Sequence, residues 1–250
     1  MSSPTNTLTA RRAAVIAGIG YLAIFVLAMF ANFMVRNGLV DTGDATATFN
    51  NIAESQSLFR LGTVAFLFVF MIDVVVAWAL YVLFRPVNRE VSLLAAWFRL
   101  VYTVMLGVSL IFFMVAARII SGSDYLAGVS VQGADIPVML LLDAFNYSWL
   151  IGLACFGVHL MLLAYLVITS GAASKALGVL LGIAGVAYVI DTLANTLLGN
   201  YSDYASGFLL MVAIPSIIGE LWFTIWLLVK AGKRPVGTDA QEFADEAVGV

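Results

Sequence analysis

Six charged residues and one histidine stand inside otherwise apolar stretches of this chain: Arg60, Asp73, Arg99, Asp143, Asp191, Glu220 and His159. A carboxylate, a guanidinium and an imidazole can bind a polar ligand or exchange a proton. An ionisable side chain at mid-bilayer costs about 2.5–3.5 kcal/mol on insertion scales, so such groups face a bundle interior and pair. Other chemistries lack their parts. With one cysteine, Cys155, and one histidine in 250 residues, a single chain can form no intrachain disulfide, no pair of axial histidines for haem and no closed Cys/His zinc site. No nucleophile-elbow pattern accompanies a serine, and Gly178-x-x-x-Gly182 has no Lys-Ser/Thr after it, so it reads as a helix contact. No metal or cofactor is expected, and no catalytic set is recognisable.

Depth sorts the polar residues into two layers. Counted from the nearer end of its apolar run, Asp73 is 11 residues in, Arg99 8, His159 10 and Glu220 9. At 1.5 Å per residue these four lie roughly 12–17 Å from one edge and are expected to converge inside the bundle. The second layer lies near the opposite edge: Arg60, Asp143 and, on one helix face, Tyr188, Asp191, Thr192 and Asn195. It is net acidic if all its members ionise.

Three readings of these layers stand side by side. Asp73 with Arg99, and Arg60 with Asp143 or Asp191, can brace neighbouring helices; interhelical polar bonds contribute modestly, about 0.6 kcal/mol on average. The same residues can line a polar cavity that binds or passes a small molecule. Arg60 and Arg118 can instead snorkel to the surface. The stripe Ser148, Gly152, Cys155, His159 fits a close helix contact as well as a cavity wall. Pro215, one turn before Glu220, predicts a kink. If Arg99 neutralises Asp73, Glu220 is left protonated or paired with a protonated His159; either state can exchange a proton, as a proton-coupled carrier needs, and a permanently protonated Glu220 hydrogen-bonded within the bundle is the structural alternative.

The elements that position these residues follow from hydropathy. The chain is 62% hydrophobic and 11% charged, with a mean hydropathy of +1.02, against roughly 25% charged in soluble domains. Lipid must cover the surface that charges cannot. About 20 apolar helical residues cross a bilayer, and six runs are long enough: Ala13–Val35, Leu58–Phe84, Val91–Ile120, Val138–Thr169, Ser174–Gly199 and Gly207–Val229. The runs are continuous rather than alternating, which excludes a barrel. The expected fold is all-α, a polytopic six-helix transmembrane bundle spanning residues 13–231, after a short segment 1–12.

Arg11-Arg12 faintly resembles an export signal, but the run that follows has 23 residues and reads as an uncleaved first span. With the N-terminus cytoplasmic, eight Lys and Arg fall on that side and two, Arg36 and Arg118, outside; the positive-inside bias puts both termini in the cytoplasm of a bacterial inner membrane. In the first outer loop Asp44 caps a short helix whose Phe49, Ile52 and Ala53 share a face, as in a helix lying on the membrane surface. The loop at Pro86 is a tight turn with Asn88 capping the next helix. The tail 232–250 is acidic and expected to be disordered. A weak echo, Ile16–Tyr21 against Ile183–Tyr188, suggests a repeat. Net charge is -3, so no nucleic-acid partner is expected; the partners are membrane lipids and a small-molecule ligand.

The stretches Ala53–Phe66, Ala79–Leu100, Ser148–Val167 and Gly178–Asn195 carry Phe-Arg-Leu, Leu-Phe-Arg-Pro-Val-Asn, Gly-x-His-Leu and Ile-Asp-x-x-Ala-Asn. Together they resemble a bacterial integral-membrane family, the domain of unknown function 4386, from about Ala13 to Lys230. The resemblance implies one six-helix domain and brings no activity, substrate or cofactor. On the residues, a small-molecule-binding or transport-like membrane protein is favoured over a structural or regulatory partner without its own substrate. A cavity reaching Arg99 and Glu220 would support the first, and a dry, paired interior with an exposed groove the second.

Overall fold

The computed structural model describes residues 9–122 and 133–231. Among these residues every regular element is helical: α1 (Ala10–Met29), a π-helical stretch (Phe30–Arg36), α2 (Asn37–Leu39), α3 (Ala45–Glu54), α4 (Gln56–Phe84), α5 (Arg89–Ile120), α6 (Asp135–Thr169), α7 (Lys175–Leu197), a 3-10 turn (Tyr201–Asp203) and α8 (Ala205–Val229). Six helical spans are long and apolar enough to cross a membrane. Their exposed sides carry large aliphatic side chains, with Leu140 62%, Ile111 56% and Ile225 59% exposed. Such a surface is stable against lipid and costly against water.

Five of the six spans match the hydropathy limits to within three residues. The first is longer than expected: the helix continues past Val35 through Leu39, so Arg36 lies in its last turns and not in a loop. The turn after α4 is as the sequence indicates, Asn88 Oδ1 accepting from the Val91 amide at 3.1 Å. Asp44 caps α3, accepting from the Ala47 amide at 2.9 Å. The apolar face of α3 is corrected, however. Ile52 is 1% exposed, and with Phe49 and Ala53 it packs on a protein core; burial against side chains replaces the expected seat on the membrane surface. The expected disordered tail, 232–250, lies outside the described residues.

The chain divides into two compact units. The first comprises Met1–Leu22, Val74–Val101 and Leu153–Val250. Here Arg11 reaches the C-terminal carbonyls of α8, donating to Leu227 O at 3.1 Å, Ala231 O at 3.0 Å and also Leu228 O. Those carbonyls have no partner within the helix, and a cation there complements the helix dipole. Helices α6 and α7 meet backbone to backbone: a Cβ added at Gly157 would lie 2.5 Å from the Gly185 carbonyl oxygen, and the reverse also holds. Only glycine permits that approach.

The second unit comprises Ala23–Asp73 and Tyr102–Gly152. Its core is aromatic: Phe113 stacks on Phe145 at 3.9 Å between centroids, and Phe59, Phe66 and Trp149 close around them. Offset and edge-on ring pairs add about 0.5–1.5 kcal/mol each beyond their area.

Candidate functional site

In the first unit, three helices bring one polar cluster together. Arg99 on α5 is 2% exposed and His159 on α6 1% exposed. Arg99 Nη1 donates to the Tyr21 hydroxyl of α1 and lies 3.2 Å from His159 Nε2. His159 Nδ1 is 2.9 Å from the carbonyl oxygen of Ala95, one turn before Arg99. These partners dictate the imidazole's state. A guanidinium only donates and a carbonyl only accepts, so Nε2 carries the lone pair and Nδ1 the proton. His159 is therefore the neutral Nδ1–H tautomer. The guanidinium also lies over two rings, 4.5 Å from the Tyr21 centroid and 5.4 Å from that of Phe156, each contact being favourable for a desolvated cation.

Of the four residues expected to converge, Arg99 and His159 are joined directly. Glu220, on α8, is half-buried. It lies within electrostatic reach of Tyr188, whose side chain is bonded to Ser216. The pairing of Glu220 with a protonated His159 is not formed, because both ring nitrogens of His159 are engaged by Arg99 and Ala95. Asp73 belongs to the second unit, is 1% exposed and accepts from the Thr103 hydroxyl at 2.6 Å.

The residues of the second layer fall on both units. In the first unit Asp191 accepts from the Tyr201 hydroxyl at 2.6 Å, and Asn195 bonds the same phenol. Burial first, then the bond to Asp191, pushes the Tyr201 phenol up to about 12. In the second unit Arg60 is exposed and Asp143 half-buried. Exposure at the helix end suits a snorkelling Arg60.

Three residues of the stripe on α6, Ser148, Gly152 and His159, make helix contacts. Ser148 Oγ lies 2.7 Å from Ser109 Oγ of α5, a Cβ at Gly152 would come 3.0 Å from that of Met105, and His159 reaches Ala95. Sequence reasoning missed Tyr21 as the hydroxyl partner of Arg99. Its one signal was the Ile16–Tyr21 echo of Ile183–Tyr188, both tyrosines of which hold polar partners in this unit.

Six long apolar helices with ionisable groups buried among them define a multi-pass helical membrane protein. The chain belongs to the family described as domain of unknown function 4386, whose model matches residues 16–231. It is 32% identical over 165 residues to an uncharacterized protein of Archaeoglobus fulgidus, a match covering 66% of this chain and 80% of that one. No solved structure matches the chain.

Proposed function

We propose that the protein is a structural or regulatory component of the bacterial inner membrane, with both termini cytoplasmic, in which Tyr21, Arg99 and His159 clamp three helices. One observation carries this reading: Arg99 is 2% exposed, with one guanidinium nitrogen already engaged by Tyr21 and His159. A cation held in this way braces helices and offers little to a passing ligand. A groove in the first unit supports this reading as a place for a partner. It has about 260 Å³ and is lined by Trp222, Trp226, Leu177, Ile225, Val229 and Lys230, among others.

A second reading rests on Glu220. This carboxyl is half-buried beside Tyr188 and Ser216, where a polar small molecule or a proton would meet it. Thermal unfolding in nanodiscs across a metabolite and lipid panel separates the two. The clamp predicts no soluble ligand whose stabilisation disappears in Arg99→Lys or His159→Gln. A metabolite that stabilises the wild type pH-dependently and fails with Glu220→Gln would establish the second reading in its place.

A further inference from the structure

The second unit contains a cation that the clamp does not use. Asn32 and Arg36 stand one turn apart in the π-helical stretch Phe30–Arg36, a geometry frequent at functional sites. The Arg36 guanidinium lies 5.7 Å from the Phe145 ring centroid and 5.3 Å from that of Trp149. It donates to Asn32 Oδ1 at 3.1 Å, and the Asn32 amide is itself held by Ala28 O at 3.1 Å. A guanidinium has five N–H donors. Among the described residues, that bond to Asn32 is the one Arg36 makes through its side chain, and no carboxylate pairs with it.

A second observation comes from α6. Trp149 Nε1 and Asn146 Oδ1 are both buried, and among the described residues neither has a hydrogen-bond partner. Residues 145, 146 and 149 share one side of the helix, because positions three and four apart are neighbours. A buried donor or acceptor left alone costs about 1–3 kcal/mol, so two within one turn of α6, one of them on an indole whose ring lies 5.3 Å from a half-buried cation, point to a ligand. The groups specify its chemistry. Arg36 calls for an anionic acceptor, the indole N–H for any acceptor, and the Asn146 carbonyl for a donor.

We propose that Arg36, Trp149 and Asn146 form a recognition site for a phosphate oxyanion carrying a hydroxyl, either hydrogen phosphate itself or a phosphoglycerol headgroup. A carboxylate supplies only acceptors and leaves Asn146 unsatisfied. The site is independent of the clamp reading, since it shares no residue with it.

The full-length protein in nanodiscs tests this through thermal unfolding and tryptophan fluorescence. The arms are inorganic phosphate against acetate at matched ionic strength and pH, and phosphatidylglycerol against phosphatidylcholine discs. Saturable stabilisation by phosphate, by phosphatidylglycerol or by both supports the site and names its source, provided that acetate and phosphatidylcholine have no effect. Arg36→Gln should weaken the response at least tenfold. Arg36→Lys, which keeps the charge, and Trp149→Phe, which keeps the ring, should each weaken it severalfold, and these cover the case in which Arg36→Gln does not fold. An equal response to acetate and phosphate, no response in any arm, or a response undiminished in Arg36→Lys and Trp149→Phe overturns the proposal.

Discussion

Arg99 Nη1 and His159 Nε2 lie 3.2 Å apart, and that contact makes the imidazole an acceptor towards the guanidinium. Nitrogen-15 NMR of the single histidine should show the neutral Nδ1-protonated tautomer. An imidazolium or the Nε2–H tautomer would refute the assignment. Replacing His159 with Leu strands a guanidinium N–H in the core and should cost about 1–3 kcal/mol. His159→Gln keeps an acceptor and a donor and should cost less, a ranking that chemical or thermal unfolding reads directly.

Tyr21 contributes both a hydroxyl and a ring to Arg99. Tyr21→Phe removes the hydroxyl alone and should destabilise by about 1.5–3 kcal/mol, the range for a bond to a charged group. Tyr21→Leu also removes the cation–π contact and should be worse by roughly 1 kcal/mol. Equal stability of the two variants would argue that the ring contact contributes nothing.

Gly157 and Gly185 bring α6 and α7 together backbone to backbone, each virtual Cβ falling 2.5 Å from the other's carbonyl oxygen. Alanine at either position forces α6 and α7 apart and should cost about 1–3 kcal/mol, as overpacking does. Gly199, with nothing within 4 Å of an added Cβ, is the control, and Gly199→Ala should unfold with the wild type.

Arg11 holds three carbonyls at the end of α8. Arg11→Ala should loosen that end by on the order of 1 kcal/mol and speed amide exchange near Lys230, whose amide closes the helix on Trp226 O. Unchanged exchange there would mean that water replaces the arginine without loss.

Tyr201 provides the pH test. Its phenol is pushed up to about 12 by burial and by Asp191, against about 10 in an unfolded chain. The stabilisation from the protonated phenol is then fully present below pH 10, and it is lost as pH rises from about 10 towards 12. Tyr201→Phe should flatten the fall of melting temperature across that window, and a fall of equal slope in the variant would assign it elsewhere.

Hydropathy alone determined the number of spans, because a membrane helix must satisfy its own backbone and cover itself with apolar side chains. Both constraints are local and can be counted along the chain. Local signals equally specified the Asn88 and Asp44 caps, which act within three residues. Depth along a helix is also local, so Arg99 and His159 could be matched in level from their positions alone.

Direction around the helix is not local, and only the tertiary structure decided it. That Tyr21 meets Arg99 on this face, that His159 turns Nδ1 to Ala95 and so cannot serve Glu220, and that Arg60 is exposed depend on how neighbouring helices rotate about their axes. Pairs such as Gly157 and Gly185 set that rotation through close packing. Their separation of 28 residues places the cause beyond the reach of any periodicity within one helix. The first span's extension to Leu39 was hidden for a related reason. Arg36 and Asn37 read as a loop by polarity, and the cost of keeping Arg36 helical is offset by the rings of Phe145 and Trp149, more than a hundred residues away.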